Sequence, residues 1–589
     1  MINSDLIADF LKEKEIDTVF GIIGSANAYI FDSIAKKGYT KVIYTHHEQA
    51  AVMSAGAYYR ASGKLSMAIV TAGGGASNAI TGVLSNWADS IPCIILAGQE
   101  STFYVKNHNN LRMMGTQGFN ASEVVKSITK KSKCILEKTN IIKSLEEAYY
   151  YCLEGRPGPV WLDIPQDIQG AKVDETDIPH FIEPSLPLYD SNVPEVVELI
   201  KNSKRPVILA GHGVKISKSI NNFTKLINKL KIPTLITWLG IDLLPEEHPY
   251  NFGRPGLYGQ RKSNFILQNC DLLIVIGSRL SLPLTGYNMD NFAPEAKIII
   301  VNNDKEELYK HSYHLPIFDD CKNFITKLLS VDFNLNINKW YNQCLEYTKK
   351  FPTIEPHHIS DNKLYNNSYI TVDQISDIAD DDAIIVFGQG TPVASGHQAF
   401  KVKNNQTVFC SNGLGEMGNG IPSAIGAYFS NPNRQLICLV SDGSLMMNLQ
   451  EFQTVVGYKI PIKFILFNNE GYLFIKHTQK MLFNGKYNGV NKDTGVSLPN
   501  YEKISSAFGL HYSNTKTSTL NDFLTTKGPG IYETYMNPEQ DLTPKVKGIA
   551  TEEGITAPPL EEMSPLLSLQ TIKDNMIINV NKLSHKIKR

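Results

Sequence analysis

At 589 residues the chain exceeds what one hydrophobic core usually organises, so about two to four domains of ordinary size are expected. Apolar residues make up 42% and charged residues 20%, the proportions of a globular protein with a sizeable core. With 57 basic against 58 acidic side chains, the composition gives no sign of nucleic acid or an anionic membrane as a partner.

The opening stretch MINSDLIADFLKEKEID places apolar residues at helical spacing and lacks the unbroken apolar run of a signal peptide, so it reads as a first helix. Short apolar runs ending in glycine or polar turns follow: DTVFG, KVIYT, SMAIVTAGGG and CIILAGQ, then VWLDI between prolines. With helical segments between them, these runs predict an α/β fold of doubly wound parallel sheets, with helices on both faces. Turn formers in DETDIPHFIEPSLPLYDSN separate a first domain over 1–170 from a linker over 171–188. A second α/β block over 189–330 carries RPVILAGHGV, IPTLITWLG, DLLIVIGSR and AKIIIVNND. Residues 331–368 are polar and irregular and read as a long surface connection. A third block over 369–545 has strands in AIIVFG, QTVFCS, QLICLVSDG and IKFILFNN, and the tail over 546–589 reads as a solvated end. The eight cysteines are scattered without a C-x-x-C pair and suit buried free thiols in a reducing compartment. No run approaches the ~18 apolar residues of a membrane span. A cytoplasmic protein is therefore expected.

The stretch LICLVSDGSLMMNLQEFQTVVGYKIPIKFILFNNEGY carries the chemistry. One apolar strand runs straight into Asp442, Gly443 and Ser444, and a second ends in Asn469, Glu470 and Gly471. In an open parallel sheet such strand ends open at the carboxyl edge, where ligands sit. A carboxylate from Asp442, an amide oxygen from Asn469 and a backbone carbonyl from Gly471 are the hard donors Mg²⁺ prefers, with phosphate oxygens and water completing an octahedron. Gly443 and Ser444 open the helix MMNLQEFQTVV, whose unpaired amides favour phosphate. A lone D-G-S turn is more often a helix cap. Two halves 27 residues apart, each after a strand, instead resemble the metal motif of thiamine diphosphate enzymes, although Ser441 stands where that motif begins with glycine.

In HHEQAAVMSAGAYYRASGK, Glu48 follows a short strand and opens a helix rich in small residues, which implies close packing around it. The resemblance makes Glu48 the acid that exchanges a proton with the cofactor's aminopyrimidine ring; His47 beside it is either an assistant or structural. In SNGLGEMGNGIPSAIGA the resemblance gives Gly415 a carbonyl contact to that ring and gives Met417 the role of wedge between the two rings. Gly388 and Gln389, closing AIIVFGQG, resemble the pair that touches the diphosphate.

From VFGIIGS through TAGGGASNAITGVLSNWADSIPCIILAGQ and RPGPVWLDIP to NNEGY, over about residues 4–545, the chain resembles the acetolactate synthase branch of that family. This implies a pyrimidine-binding, a central and a diphosphate-binding domain. It also implies a homo-oligomer, dimer or tetramer, in which Glu48 of one subunit faces the diphosphate site of another. Two departures stand out. In GSRLSLPLTG, Arg279 keeps the first of two family arginines and Pro283 replaces the second, and Thr478 stands where a tryptophan shapes acceptor choice. The later segments look more like members found among genes for surface-polysaccharide and nucleotide-sugar synthesis. The expected reaction splits a 2-keto acid, pyruvate first among them, and joins the two-carbon fragment to a carbonyl acceptor. A keto-sugar nucleotide is one such acceptor, its phosphates meeting Lys476 and His477. An acetolactate synthase and a simple 2-keto acid decarboxylase or oxidase stay open as alternatives. Flavin also stays open: Gly211, Gly213 and Arg279 resemble FAD-binding positions and Asp304 keeps a later acid, but Asn302 replaces the acid of the V-D-I-D-like stretch.

Overall fold

Parallel strands covered on both faces need near-continuous apolar runs, and each block of the chain supplies them. In a computed structural model, which describes residues 1–108, 110–185, 189, 191–359, 364–551 and 554–589, these runs form three separate parallel sheets. The first holds β1 (Thr18–Gly21), β2 (Lys41–Tyr44), β3 (Met67–Val70), β4 (Cys93–Gln99), β5 (Lys131–Cys134) and β6 (Pro159–Pro165), in the order β2-β1-β3-β4-β6-β5. The second holds β7 (Pro206–Ala210), β8 (Thr234–Ile236), β9 (Leu272–Ile276), β10 (Lys297–Asn302) and β11 (Leu315–Phe318), in the order β11-β10-β9-β7-β8. The third holds β12 (Ile384–Phe387), β13 (Thr407–Cys410), β14 (Leu436–Ser441), β15 (Lys463–Asn468), β16 (His511–Asn514) and β17 (Gly530–Tyr535), in the order β13-β12-β14-β15-β17-β16. Every strand pair within these sheets is parallel, and helices cover both faces, as the alternating runs predict.

One apolar core runs through the first and third domains together, joining Phe20, Val52 and Trp161 to Ile425, Phe452 and Phe464. Its seam is the contact between helix Glu48–Ser62 and helix Gly420–Ser430. A Cβ on Gly426 would lie 2.0 Å from the Ser54 carbonyl oxygen, so the backbones meet at a distance only glycine allows. Ser54 Oγ donates to the Pro422 carbonyl across the seam at 2.8 Å. The helix that begins with Glu48 is thereby fixed to the domain that carries Asp442.

Four expectations are corrected. Strands β5, β11, β16 and β17 are additional to those read from the apolar runs. Residues Asn338–Lys350, placed in the long connection, form a helix whose Trp340, Cys344 and Tyr347 are buried against the central domain. Residues 360–363 of that connection, 186–188 of the first linker and 552–553 of the tail lie outside the described residues. The tail is no solvated end. Leu560, Met563 and Ile572 enter the central-domain core, and Arg589 pairs with Glu562 at 2.6 Å. The stretch MMNLQEFQTVV is not one helix: a turn at Asp442–Leu445 passes into a 3₁₀ segment, and the α-helix resumes at Glu451–Gly457. All eight cysteines are free thiols, seven of them buried. Among the described residues no helix is long and apolar enough to cross a membrane.

Candidate cofactor and metal site

The tips of β14 and β15, adjacent in the third sheet, bring Asp442, Asn469 and Gly471 together. Asp442 is fully buried. Its Oδ1 accepts from the Gly443 amide at 2.7 Å, and its Oδ2 accepts from the amides of Asn469 and Gly471, each at 3.0 Å. Burial pushes its carboxyl up to about 7, and these amides offset only part of the cost of holding a charge there. Asn469 Nδ2 donates to Thr391 Oγ1 at 2.9 Å, which leaves the amide oxygen buried and without a partner. A buried carboxylate beside an orphaned carbonyl oxygen is a donor set whose chemistry fits a hard cation. Among the described residues no three His, Cys, Asp or Glu side chains gather as a metal cluster, so a cation here would rely on amide and backbone oxygens.

The neighbouring turns close around this point. The Tyr472 ring lies over Gly443, where a Cβ would come within 2.2 Å of it. Tyr501 donates its hydroxyl to the Asp442 carbonyl at 2.9 Å. Ser444 Oγ accepts from the Gly418 amide at 3.0 Å and so ties the Asp442 turn to the segment carrying Gly415 and Met417. Gly415 has φ +70°, the left-handed conformation that its place in the turn requires. The serine at 441 has a use of its own: its hydroxyl donates to the Gln389 carbonyl at 2.7 Å and ties β14 to the end of β12, where Gly388 and Gln389 sit. Gln389 reaches onward to the Ser411 carbonyl. Nine of the residues singled out for cofactor contact or metal ligation are linked here by these bonds and by chain neighbourhood: Gly388, Gln389, Gly415, Met417, Asp442, Gly443, Ser444, Asn469 and Gly471.

Glu48 shares none of these bonds. Its side chain is buried at the start of its helix, with Oε2 accepting from Asn78 Nδ2 at 3.0 Å. His47 caps the same helix, its Nδ1 accepting from the Gln49 amide at 3.1 Å. The neighbouring His46 amide donates to Glu451 at 3.0 Å, and burial pushes the Glu451 carboxyl up to about 7. Among the described residues no hydrogen bond joins Glu48 to Asp442, Asn469 or Gly471. Asn78, Thr391 and Glu451 were missed in the sequence. Only Glu451, an acid inside an apolar helical run, left a signal there.

Lys476 and His477 do not point to an open acceptor site. Lys476 is buried, with Nζ on the Pro538 carbonyl at 3.2 Å and on Glu539 at 3.3 Å. His477 Nε2 meets the Gln540 carbonyl at 3.0 Å, and burial lowers its pKa to about 4, so it is neutral. The face of helix Leu473–Phe483 that carries them turns onto segment 538–540. Thr478 is exposed, its hydroxyl donating to the Phe474 carbonyl at 3.1 Å.

A cavity opens where the three domains meet, lined by Arg156, His212, Gly213, Trp238, Arg279 and Asn302 among others. The amides of Gly211 and Gly213 donate to the carbonyls of Ile276 and Gly277, each at 2.9 Å, so they serve strand packing. His212 Nδ1 bonds the Leu239 carbonyl at 3.1 Å, and its Nε2 is buried without a partner. Burial lowers the His212 pKa to about 3, so the ring offers an acceptor lone pair that suits a hydroxyl-bearing ligand. Asp304 is engaged elsewhere, capping helix Lys305–Tyr309 and pairing with Arg156 at 2.9 Å.

Comparison with known proteins places three family models along the chain: "Thiamine pyrophosphate enzyme, N-terminal TPP binding domain" over residues 1–122, the central domain over 193–328 and the "C-terminal TPP binding domain" over 388–529. An acetolactate synthase large subunit from Lactococcus lactis subsp. lactis is 30% identical over 570 residues, covering 94% of this chain and 96% of that protein. The acetolactate synthase isozyme 1 large subunit of Escherichia coli is 30% identical, covering 92% of this chain and 95% of its own. A probable acetolactate synthase large subunit of Methanocaldococcus jannaschii is 29% identical, covering 98% of this chain and 100% of its own.

Proposed function

Because the chain belongs to the thiamine pyrophosphate enzymes, of the acetolactate synthase large-subunit type, we propose that it decarboxylates a 2-keto acid, pyruvate in the first instance, and transfers the two-carbon remainder to a carbonyl acceptor. The observation that carries this reading is the buried Asp442 carboxylate beside the unpartnered Asn469 oxygen at two adjacent strand tips.

In this reading Asp442, Asn469 and the Gly471 carbonyl hold Mg²⁺. Gly443, Ser444, Gly388 and Gln389 hold the diphosphate, and Gly415 and Met417 hold the pyrimidine end. The bound cofactor would supply a nucleophilic carbon and a sink for the electron pair left when carbon dioxide departs. Glu48 holds and returns a proton at its carboxyl group, with Asn78 fixing one oxygen and leaving the other free. The family resemblance supports a homo-oligomer in which each subunit lends Glu48 to its neighbour's site, and among the described residues no hydrogen bond ties Glu48 to the Asp442 cluster of its own chain. Tyr472 over Gly443 and the apolar walls around β14 keep water out, which favours loss of charge as carbon dioxide leaves. FAD would occupy the cavity holding His212 and Arg279, without entering the reaction; the visible absorbance of the purified protein reads its presence.

The acceptor is a second 2-keto acid in the acetolactate synthase outcome. A bulkier carbonyl acceptor, such as a keto-sugar nucleotide, is the second reading, favoured by the small and exposed Thr478. Lys476 and His477 add nothing to it, being bound to segment 538–540. Incubation with pyruvate, Mg²⁺ and thiamine diphosphate, with and without a keto-sugar nucleotide, followed by mass spectrometry of the products, tests both readings. Carbon dioxide release with a new carbon–carbon bond is expected. Free acetaldehyde as the sole product would replace the carboligase with a decarboxylase, and no turnover of any 2-keto acid would overturn the reading.

A further inference from the structure

The turn that presents Gly415 and Met417 carries a charged residue between them. The Glu416 side chain does not follow its neighbours; it turns back toward the first domain. Its Oε1 accepts from Ser85 Oγ at 2.6 Å and from Asn419 Nδ2 at 2.5 Å, and its Oε2 accepts from Ser411 Oγ at 2.8 Å. Ser411 and Asn419 bracket the turn, and Ser85 lies on helix Ile80–Ala88 of the first domain. Ser423 extends the network by donating to Asn419 Oδ1.

A second carboxylate grips the same turn from the opposite side of the boundary. Asp89, in the first domain, accepts the amides of Asn412 at 3.0 Å and Gly413 at 2.6 Å. It is held in turn by Arg60 at 2.5 Å, with both side chains almost fully buried. Residues 411–419 are thus clamped at both ends across the domain seam. Burial raises the Glu416 carboxyl above its ordinary range, the mark of a group taken out of water and dependent on its three donors.

We propose that Glu416 is a positioning residue whose carboxylate, anchored on Ser85 of the first domain and on Ser411 and Asn419 of the third, fixes the Gly415–Met417 turn against the cofactor. This rests on the reading that Gly415 and Met417 meet the pyrimidine end of thiamine diphosphate. An acid that accepts three hydrogen bonds sets the turn more rigidly than a neutral side chain, because charge-assisted bonds are shorter and stronger. Rigidity there would hold Gly415 and Met417 in place for the cofactor and act on catalysis without touching the reacting atoms.

The test uses the full-length protein with Mg²⁺ and compares wild type with E416A, E416Q, S85A and the double variant E416A/S85A. For each, the thiamine diphosphate dissociation constant, kcat and KM for pyruvate, and melting temperature are measured. E416A is expected to weaken cofactor binding about tenfold and to lower kcat with KM for pyruvate unchanged. E416Q should recover part of the loss, because its amide oxygen still accepts. S85A should lose less, and the double variant should lose clearly less than the sum of the two, since the shortest contact of Ser85 is to Glu416 and its longer ones are to the same Ser411 and Asn419. Variants that only lower the melting temperature, with cofactor affinity and kcat intact, would overturn the proposal; so would additive losses in the double variant. Should E416A fail to fold, S85A and E416Q carry the same comparison. A wild-type protein that does not bind thiamine diphosphate would be a different failure, sinking the functional reading and this inference with it.

Discussion

The central and third domains put glycine-bearing turns at the same carboxyl edge of a parallel sheet, yet they leave different charges there. At the central edge Asp304 and Asp319 each have a cation within reach, while Asp320 caps helix Cys321–Leu329 through backbone amides. Asp304 meets Arg156 of the first domain, and Glu246, beyond β8 at the other end of the sheet, faces Arg254 and Lys262, which outweigh the cost of burial and hold its carboxyl below the ordinary range. At the third-domain edge Asp442 has only backbone amides, and burial pushes it up to about 7 beside an oxygen with no donor. One architecture therefore supports an edge whose acids are paired or capping in one domain and, in the other, an edge with a buried carboxylate beside an amide oxygen that no donor meets. The fold sets where a ligand can sit, and the unpaired groups decide which ligand it is.

The comparison breaks first if the third-domain edge works without help from the first domain. Glu48→Gln is expected to lower kcat about a thousandfold while leaving the melting temperature near that of wild type; a variant within a few-fold of wild type would remove the assigned role. It sharpens if the orphaned oxygen matters. Thr391→Val frees the Asn469 amide to rotate, and an outer-shell change of this kind should raise the Mg²⁺ requirement about tenfold.

The third domain's second buried acid gives a smaller effect, read in stability. Glu451 is ordinarily a group of pKa 4.5 and is pushed up to about 7 by burial. Between those values the unfolded chain has lost the proton and the folded chain has not, so rising pH favours unfolding through this window and the effect levels off above it. Glu451→Gln should remove about 1–3 kcal/mol of that pH dependence relative to wild type, seen in denaturant melts at pH 5 and pH 8. An unchanged difference between the two pH values would show that the acid titrates normally. Smallest of all, Arg156→Ala in the first domain, which unpairs Asp304 and Glu307 of the central domain, should cost about 1 kcal/mol or less, its partners being partly exposed, with kcat unchanged at saturating cofactor. A large loss of kcat there would make the central edge part of the reaction.

The strand tips were legible because apolar runs pass without a break into SDGS and NNEG. The edge strand β5, with sequence KSKC, was not, since edge positions are half exposed and carry lysines. Strand β17 hides Glu533 and Thr534 in a buried position, Glu533 bonding Asn468 and Tyr512 at the sheet's end. Helix Asn338–Lys350 buries only one narrow stripe of an otherwise polar stretch. Thr391 lies 78 residues from Asn469, and Asn78 lies 30 from Glu48, so neither pairing leaves a local pattern. Lys476 and His477 misled because charge near a site says nothing about the direction the side chain takes, which here is onto segment 538–540.

The most direct measurement is a thiamine diphosphate titration of wild type and Asp442→Asn, each with Mg²⁺ and with chelator, alongside Asn302→Ala in the central domain. Saturable binding that needs Mg²⁺ in wild type, falls by more than about 100-fold in Asp442→Asn and is unchanged in Asn302→Ala is the predicted result. Equal affinity in wild type and Asp442→Asn, or binding indifferent to the metal, would contradict the assignment of the third-domain edge.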